Sequence, residues 1–200
     1  MLGFQEGVFP SFLYSILNIL SPVIPIKNED VYESINCLER IKKEISSKNI
    51  SKDNPSLILA KWITGIPLIY YPWGLEAAAI RFKNSLQENA KMHVIIEDVV
   101  ESCHNGVVAW EKKSQIQPIL LKGADDYIKT KEKYQILIKY FQENKIEYRE
   151  INSVKGSILS KIITLIYLLD YAAIYKSVID EVDPSPVKSI EYIKKRISLN

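Results

Sequence analysis

The stretch from Tyr70 to Glu111 reads YYPWGLEAAAIRFKNSLQENAKMHVIIEDVVESCHNGVVAWE and gathers both histidines, one of the two cysteines and a run of acids. Glu88 is a candidate general base. A carboxylate is suited to taking a proton from carbon next to a carbonyl once its proton affinity is raised by burial. The plainer alternative is a solvated glutamate paired with Lys91 three residues on, which contributes about 0.2–0.5 kcal/mol on a helix surface. His104, in the turn-like Cys103-His104-Asn105-Gly106, can shuttle a proton because an exposed imidazole titrates near neutrality. A loop histidine can equally be a hydrogen-bonding residue of the loop. His93 abuts a strand-like run and reads as structural. Cys103 and His104 are neighbours in sequence, and neighbours rarely face each other, so no Cys–His nucleophilic pair is expected. Two histidines and one nearby cysteine in this spacing make no metal site. The seven glycines are dispersed, and neither GxGxxG nor GxxxxGK occurs, so no phosphate loop for a nucleotide cofactor is expected.

These residues must be positioned by the elements around them. Pro72 and Gly74 open a helix over Leu75 to Lys91, with Leu75, Ala79, Phe82 and Leu86 as its buried stripe. Arg81, Asn84, Glu88 and Lys91 fall on the other side. An apolar burst, Val94 to Ile96, leads into an acidic connection holding Glu97, Asp98 and Glu101. Upstream, Phe9 to Leu20 reads as an apolar helix stopped at Ser21-Pro22. A second helix, capped by Asn28 or Asp30, reaches about Ser46 with Val31, Ile35, Leu38, Ile41 and Ile45 facing inward. Pro55 begins a short helix to about Ile63.

Strands are expected at Ile66 to Tyr71, Gln117 to Leu121 and Ile146 to Ile151. A helix over Ala124 to Asn144 carries Tyr127, Lys131, Tyr134, Leu137, Ile138 and Phe141 on one face. Ser157 to Val182 forms a very apolar helix, followed through Asp183-Pro184-Ser185-Pro186 by a last one, Val187 to Ile197. Strand–helix–strand order makes parallel crossovers the expectation. The fold class is therefore α/β: three layers, αβα, around a mostly parallel sheet, flanked by long apolar helices. Residues 1–64 form a helical N-terminal segment, and residues 65–200 the α/β domain.

With 200 residues, 26 basic and 24 acidic side chains well mixed, the chain can build one sizeable core. It shows no basic stripe of the kind nucleic-acid binders carry, so no nucleic-acid partner is expected. Two lone cysteines favour a reducing cytoplasm. Gly7 to Ile26 is uncharged, but its continuous helical part is too short to span a bilayer and lacks a basic leader; a buried or subunit-contact helix is expected instead of a membrane anchor. The Ile-, Lys- and Glu-rich composition hints at a thermophile.

The same residues carry a resemblance. RFKNSLQENAK (Arg81 to Lys91) followed by HNGVVAWE (His104 to Glu111) resembles the signature of bifunctional phosphoglucose/phosphomannose isomerases, sugar isomerases of the SIS-fold superfamily, with Glu88 and His104 sixteen positions apart. DYAAIYKSVIDEVDPSPVKSIEYIKKRI (Asp170 to Ile197) is similar to that family's closing helices, including the Asp-Pro-small-Pro-Val step. GVFPSFLYSILNIL is similar to the helix after its first lobe.

The resemblance implies an SIS-like fold and interconversion of glucose 6-phosphate or mannose 6-phosphate with fructose 6-phosphate through a cis-enediol, without metal or nucleotide cofactor. Glu88 would be the base. His104, supplied by the neighbouring subunit of a dimer, would assist ring opening, and Lys176 of the penultimate helix would serve the ring oxygen. Arg81 and Asn105 would contact the sugar phosphate. Members of that family carry an additional N-terminal lobe with a glycine-rich turn and a Ser/Thr loop for the phosphate. These 200 residues hold nothing like it, and Gln5-Glu6-Gly7 stands where the family has an arginine. The chain is accordingly expected to pair with itself or with a separate N-terminal lobe, or else to be a degenerate, non-catalytic sugar-phosphate-binding or interaction module.

Overall fold

The computed structural model describes residues 8–197; the Gln5-Glu6-Gly7 replacement lies outside the described residues. Elements follow in the order α1 (Val8–Leu20), α2 (Asn28–Ile45), α3 (Pro55–Trp62), β1 (Ile66–Tyr71), α4 (Glu76–Asn89), β2 (Ile95–Asp98), α5 (Val99–Ser102), a 3-10 segment (Gly106–Glu111), β3 (Ile116–Lys122), α6 (Ile128–Glu143), β4 (Arg149–Asn152), α7 (Ile158–Ile179) and α8 (Lys188–Ile197).

The four strands run parallel in the order β2-β1-β3-β4. Because successive strand residues point to opposite faces, β1 feeds two cores at once. Ile69, with Ile119 and Leu121 of β3, packs under α3, α4 and α7. Leu68 and Tyr70, with Leu120, pack against Tyr134, Leu137 and Phe141 of α6. Helices thus cover both faces, and the sheet is the middle of three layers.

The expected stripe of α4 is buried as read: Leu75, Ala79, Phe82 and Leu86 are all inside. Four expectations need correction. The burst at Val94–Ile96 is the start of an edge strand, β2, whose acids Glu97 and Asp98 pair in register with Tyr70 and Tyr71. In α2 the inward side centres on Ser34, Cys37 and Ile45, whereas Ile35 is exposed. The cause is polar contact with α1 and the start of α7: Tyr14 of α1 bonds Ser34, and Glu33 accepts hydrogen bonds from the Ser157 N–H and the Ser160 hydroxyl at 2.8 Å each. That fixes the roll of α2 by polar contacts. Neither Asn28 nor Asp30 caps it; the N-cap is Lys27, without a side-chain hydrogen bond. In α6, Tyr127 is exposed and Thr130 takes the inner position.

α7 is the one described helix long and apolar enough to cross a bilayer, yet two-thirds of its most apolar window is buried within the fold. It is the core helix. Ser56 donates to its Leu168 carbonyl at 2.7 Å, and Tyr175 donates to the Ile45 carbonyl at 2.6 Å, tying α3 and the end of α2 to it.

Candidate active site

A parallel crossover returns the chain to the amino end of the sheet, so α4 runs back against the strands. Its last turn, bearing Glu88, sits where β2 begins, whereas His104 follows the carboxyl end of β2. Within one chain the two side chains lie at opposite ends of the sheet.

Glu88 is exposed. Its carboxylate makes no hydrogen bond or ion pair among the described residues, and the helix-surface pair with Lys91 does not form. The Lys91 ammonium donates instead to the Glu88 main-chain carbonyl at 2.6 Å. It also donates to the carbonyls of Pro186 at 2.9 Å and Pro184 at 3.4 Å. Two of the segments that carry the resemblance, one on α4 and one before α8, therefore meet in space. Asp183 accepts the Ser185 N–H, which holds its carboxyl below the usual range, with Lys91 adding to the effect.

α7 runs alongside α4 in the same direction. Ile158 at its start lies beside Gly74, and Asp170 midway meets Arg81 and Ser85. Arg81 grips Asp170 with two nitrogens, Nε at 3.1 Å and Nη2 at 3.0 Å, and its guanidinium lies over the Phe9 ring. Ser85 completes the set by donating to the same carboxylate. Asp170 is only 6% exposed, so these donors are what make a buried charge tolerable. Lys176, further along α7, is 5% exposed and ion-paired with Asp180 at 2.6 Å. Of the five residues read as site residues, Arg81 and Lys176 are thus engaged in internal pairs, and Glu88, His104 and Asn105 stand exposed. His93 is exposed as well.

At the other end of the sheet, Asp98 caps α5 by accepting the N–H groups of Val100 at 2.8 Å and Glu101 at 3.1 Å. This short turn delivers His104, whose own N–H donates to the Glu101 carbonyl. Gly106 follows against the Glu97 carboxylate, which a Cβ at that position would push aside. Burial, and secondarily Glu101, pushes the Glu97 carboxyl above its ordinary value. Beside it an apolar cavity of about 320 Å³ opens at the β2 edge between Leu68, Ile95, Trp110 and Ile116. Among the described residues no group of three or more His, Cys, Asp and Glu side chains gathers as a metal site would.

The Asp170–Arg81–Ser85 set and the triple contact of Lys91 escape the sequence. Nothing in the spacing joins positions eighty-odd residues apart, although the Ser85–Glu88–Lys91 spacing puts all three near one end of α4.

A parallel sheet covered on both faces and ordered 2-1-3-4, with Glu88, His104 and Asn105 exposed at its ends, makes a three-layer α/β domain of the class to which SIS domains belong. Residues 52–197 match the family described as bacterial phospho-glucose isomerase C-terminal SIS domain, and the chain belongs to that family. The bifunctional phosphoglucose/phosphomannose isomerase of Caldicellulosiruptor bescii is 28% identical over 192 residues, 93% of this chain and 56% of that protein. That of Aquifex aeolicus is 26% identical, over 92% of this chain and 58% of that protein. The chain therefore spans little more than half the length of these relatives. Among solved structures, a glucose-6-phosphate isomerase like protein from Thermus thermophilus superposes with a TM-score of 0.64 at 17% identity, covering 78% of this chain and 54% of that one. Tagatose-6-phosphate ketose/aldose isomerase from Escherichia coli gives 0.59 at 12% identity, covering 83% and 48%. At such identities these two likenesses speak for the fold.

Proposed function

We propose that this domain serves aldose–ketose isomerisation of a hexose 6-phosphate, glucose or mannose 6-phosphate to fructose 6-phosphate, as the base-bearing half of a two-part site. Membership of the phosphoglucose isomerase family supports a phosphosugar isomerase. The observation that carries the finer reading is the state of Glu88: a carboxylate free of partners, on a helix end pinned from behind by Lys91. Once bound sugar and a second molecule cover it and raise its proton affinity, such a group can take the C2 proton and return it to C1 of a cis-enediol, a shuttle that general-base catalysis makes worth roughly 10²–10⁴ in rate. His104, exposed at the far end of the sheet, meets a Glu88 only across a contact between two molecules. In this reading it comes from a second copy and, as imidazolium, protonates the ring oxygen as its bond to C1 breaks, while the anomeric hydroxyl gives up its proton to water and becomes the carbonyl. Asn105 accompanies it toward the sugar phosphate. Arg81 contributes the guanidinium donors that Asp170 leaves over, and Lys176 enters on the resemblance alone, since Asp180 occupies it. The phosphate-binding part is supplied by a further lobe, as the relatives' greater length suggests. A cytoplasmic enzyme working without metal or nucleotide follows from the same reading.

A second reading, a non-catalytic sugar-phosphate-binding or interaction module, is favoured by one observation. Two of the five expected site residues are held in internal ion pairs. A coupled assay of fructose 6-phosphate formation from glucose 6-phosphate separates the two, run with the chain alone and with a relative's first lobe added. Turnover that Glu88→Gln lowers by at least about a hundredfold supports the enzyme. No turnover in either mixture supports the module.

A further inference from the structure

Lys91 follows the C-cap of α4 with φ at 55°, in the left-handed region where glycine or asparagine is the unstrained choice. Lys145 and Glu181 take the same conformation just past α6 and α7, so the backbone singles out nothing, and an explanation of Lys91 must come from its side chain. Its three ammonium protons provide one. They go to the carbonyls of Glu88, Pro184 and Pro186, so the cation joins the last turn of α4, whose Leu86 carbonyl is already taken by the Ala90 and Met92 N–H groups, to the link that launches α8. The link needs such a fastening. α8 has no buried residue, and its apolar side (Ile190, Ile193, Ile197) is exposed, so burial does not hold it. Asp183, turned back on the Ser185 N–H, adds a carboxylate whose charge Lys91 favours.

We propose that Lys91 is a positioning residue: it clamps the helix end that presents Glu88 to the Asp183–Pro186 link, so that the proposed base and α8 move as one unit. This rests on the reading of Glu88 as base, but the clamp can be judged separately. Hydrogen exchange of the whole chain is followed by mass spectrometry in wild type, Lys91→Met, Lys91→Arg and Glu88→Gln. Lys91→Met is expected to speed exchange across residues 187–197 and at the end of α4 by about tenfold while leaving the middle of α7 unchanged. Lys91→Arg, which keeps a cationic donor for the carbonyls, is expected to restore most of the protection, and Glu88→Gln to leave it as in wild type. Exchange in Lys91→Met within twofold of wild type, or no rescue by arginine, overturns the clamp. In the isomerase assay Lys91→Met is expected to lower kcat roughly tenfold with KM little changed, since misplacement of a catalytic group acts on the chemical step. Failure of the turnover assay with every variant would reject the base assignment of Glu88 and leave the exchange result to decide the clamp.

Discussion

Two carboxylates in this domain show how differently the same group behaves with and without partners. Asp170 is buried but receives Arg81 and Ser85, so its charge is matched. Replacing it with alanine strands a guanidinium and a hydroxyl beside Phe9. Asp170→Ala is expected to cost about 2–3 kcal/mol in urea unfolding, less than for a fully buried pair because Arg81 is partly wet. Glu97 has the opposite circumstances: half-buried against Gly106, near Glu101, with its carboxyl pushed upward. A carboxyl whose folded value lies above its unfolded value binds its proton more tightly in the fold. Its contribution is therefore lost as pH rises from the ordinary carboxylate value through the raised one. Glu97→Gln should raise the melting temperature at neutral pH, and the gain should vanish at about pH 3, well below the ordinary glutamate value, where both states carry the proton. A gain that persists unchanged into acid would mean that charge is not the cause.

The elements divide into those set by local pattern and those set by packing. Gly65, just before β1, lies against the Gln115 backbone carbonyl, which accepts the Ile66 N–H at 3.0 Å; no Cβ fits there. Gly65→Ala should push the amino ends of β1 and β3 apart and cost about 1–3 kcal/mol, read from thermal or urea unfolding. The buried stripe of α4 is legible because four apolar residues recur at helical spacing with charged ones opposite. β2 is not, since its four residues IIED place two acids in a strand, and only pairing with β1 makes them one. The roll of α2 escapes the pattern for a related reason. Its isoleucines offer an apolar stripe, but Glu33 and Ser34 are fixed by Ser157, Ser160 and Tyr14, and polar contacts across more than a hundred residues leave no periodic trace. Of the candidate site, Glu88 and His104 can be picked out by residue type and motif. That Lys91 serves three carbonyls cannot, because two of them belong to a segment ninety-odd residues away.

On the scale of the whole molecule, the exposed side of α1 and the turn after it stands out. Phe12, Ile19 and Val23 are 63%, 73% and 80% exposed, an apolar surface of the kind that marks a contact. If the shared-site reading holds, two copies associate. Light scattering at micromolar concentration is expected to give a dimer, and a Phe12→Asp/Ile19→Asp double variant a monomer. A monomeric wild type would leave His104 without a route to Glu88. The sheet itself carries a different consequence. The larger core closes only when α7 lies between α2, α3 and α4, yet α7 is made after all four strands. A ribosome releasing this chain thus exposes greasy flanks of three helices until residue 179 has cleared the exit tunnel. A nascent chain stalled short of Ile158 should be cleaved readily by added protease, and one stalled well past Ile179 should resist.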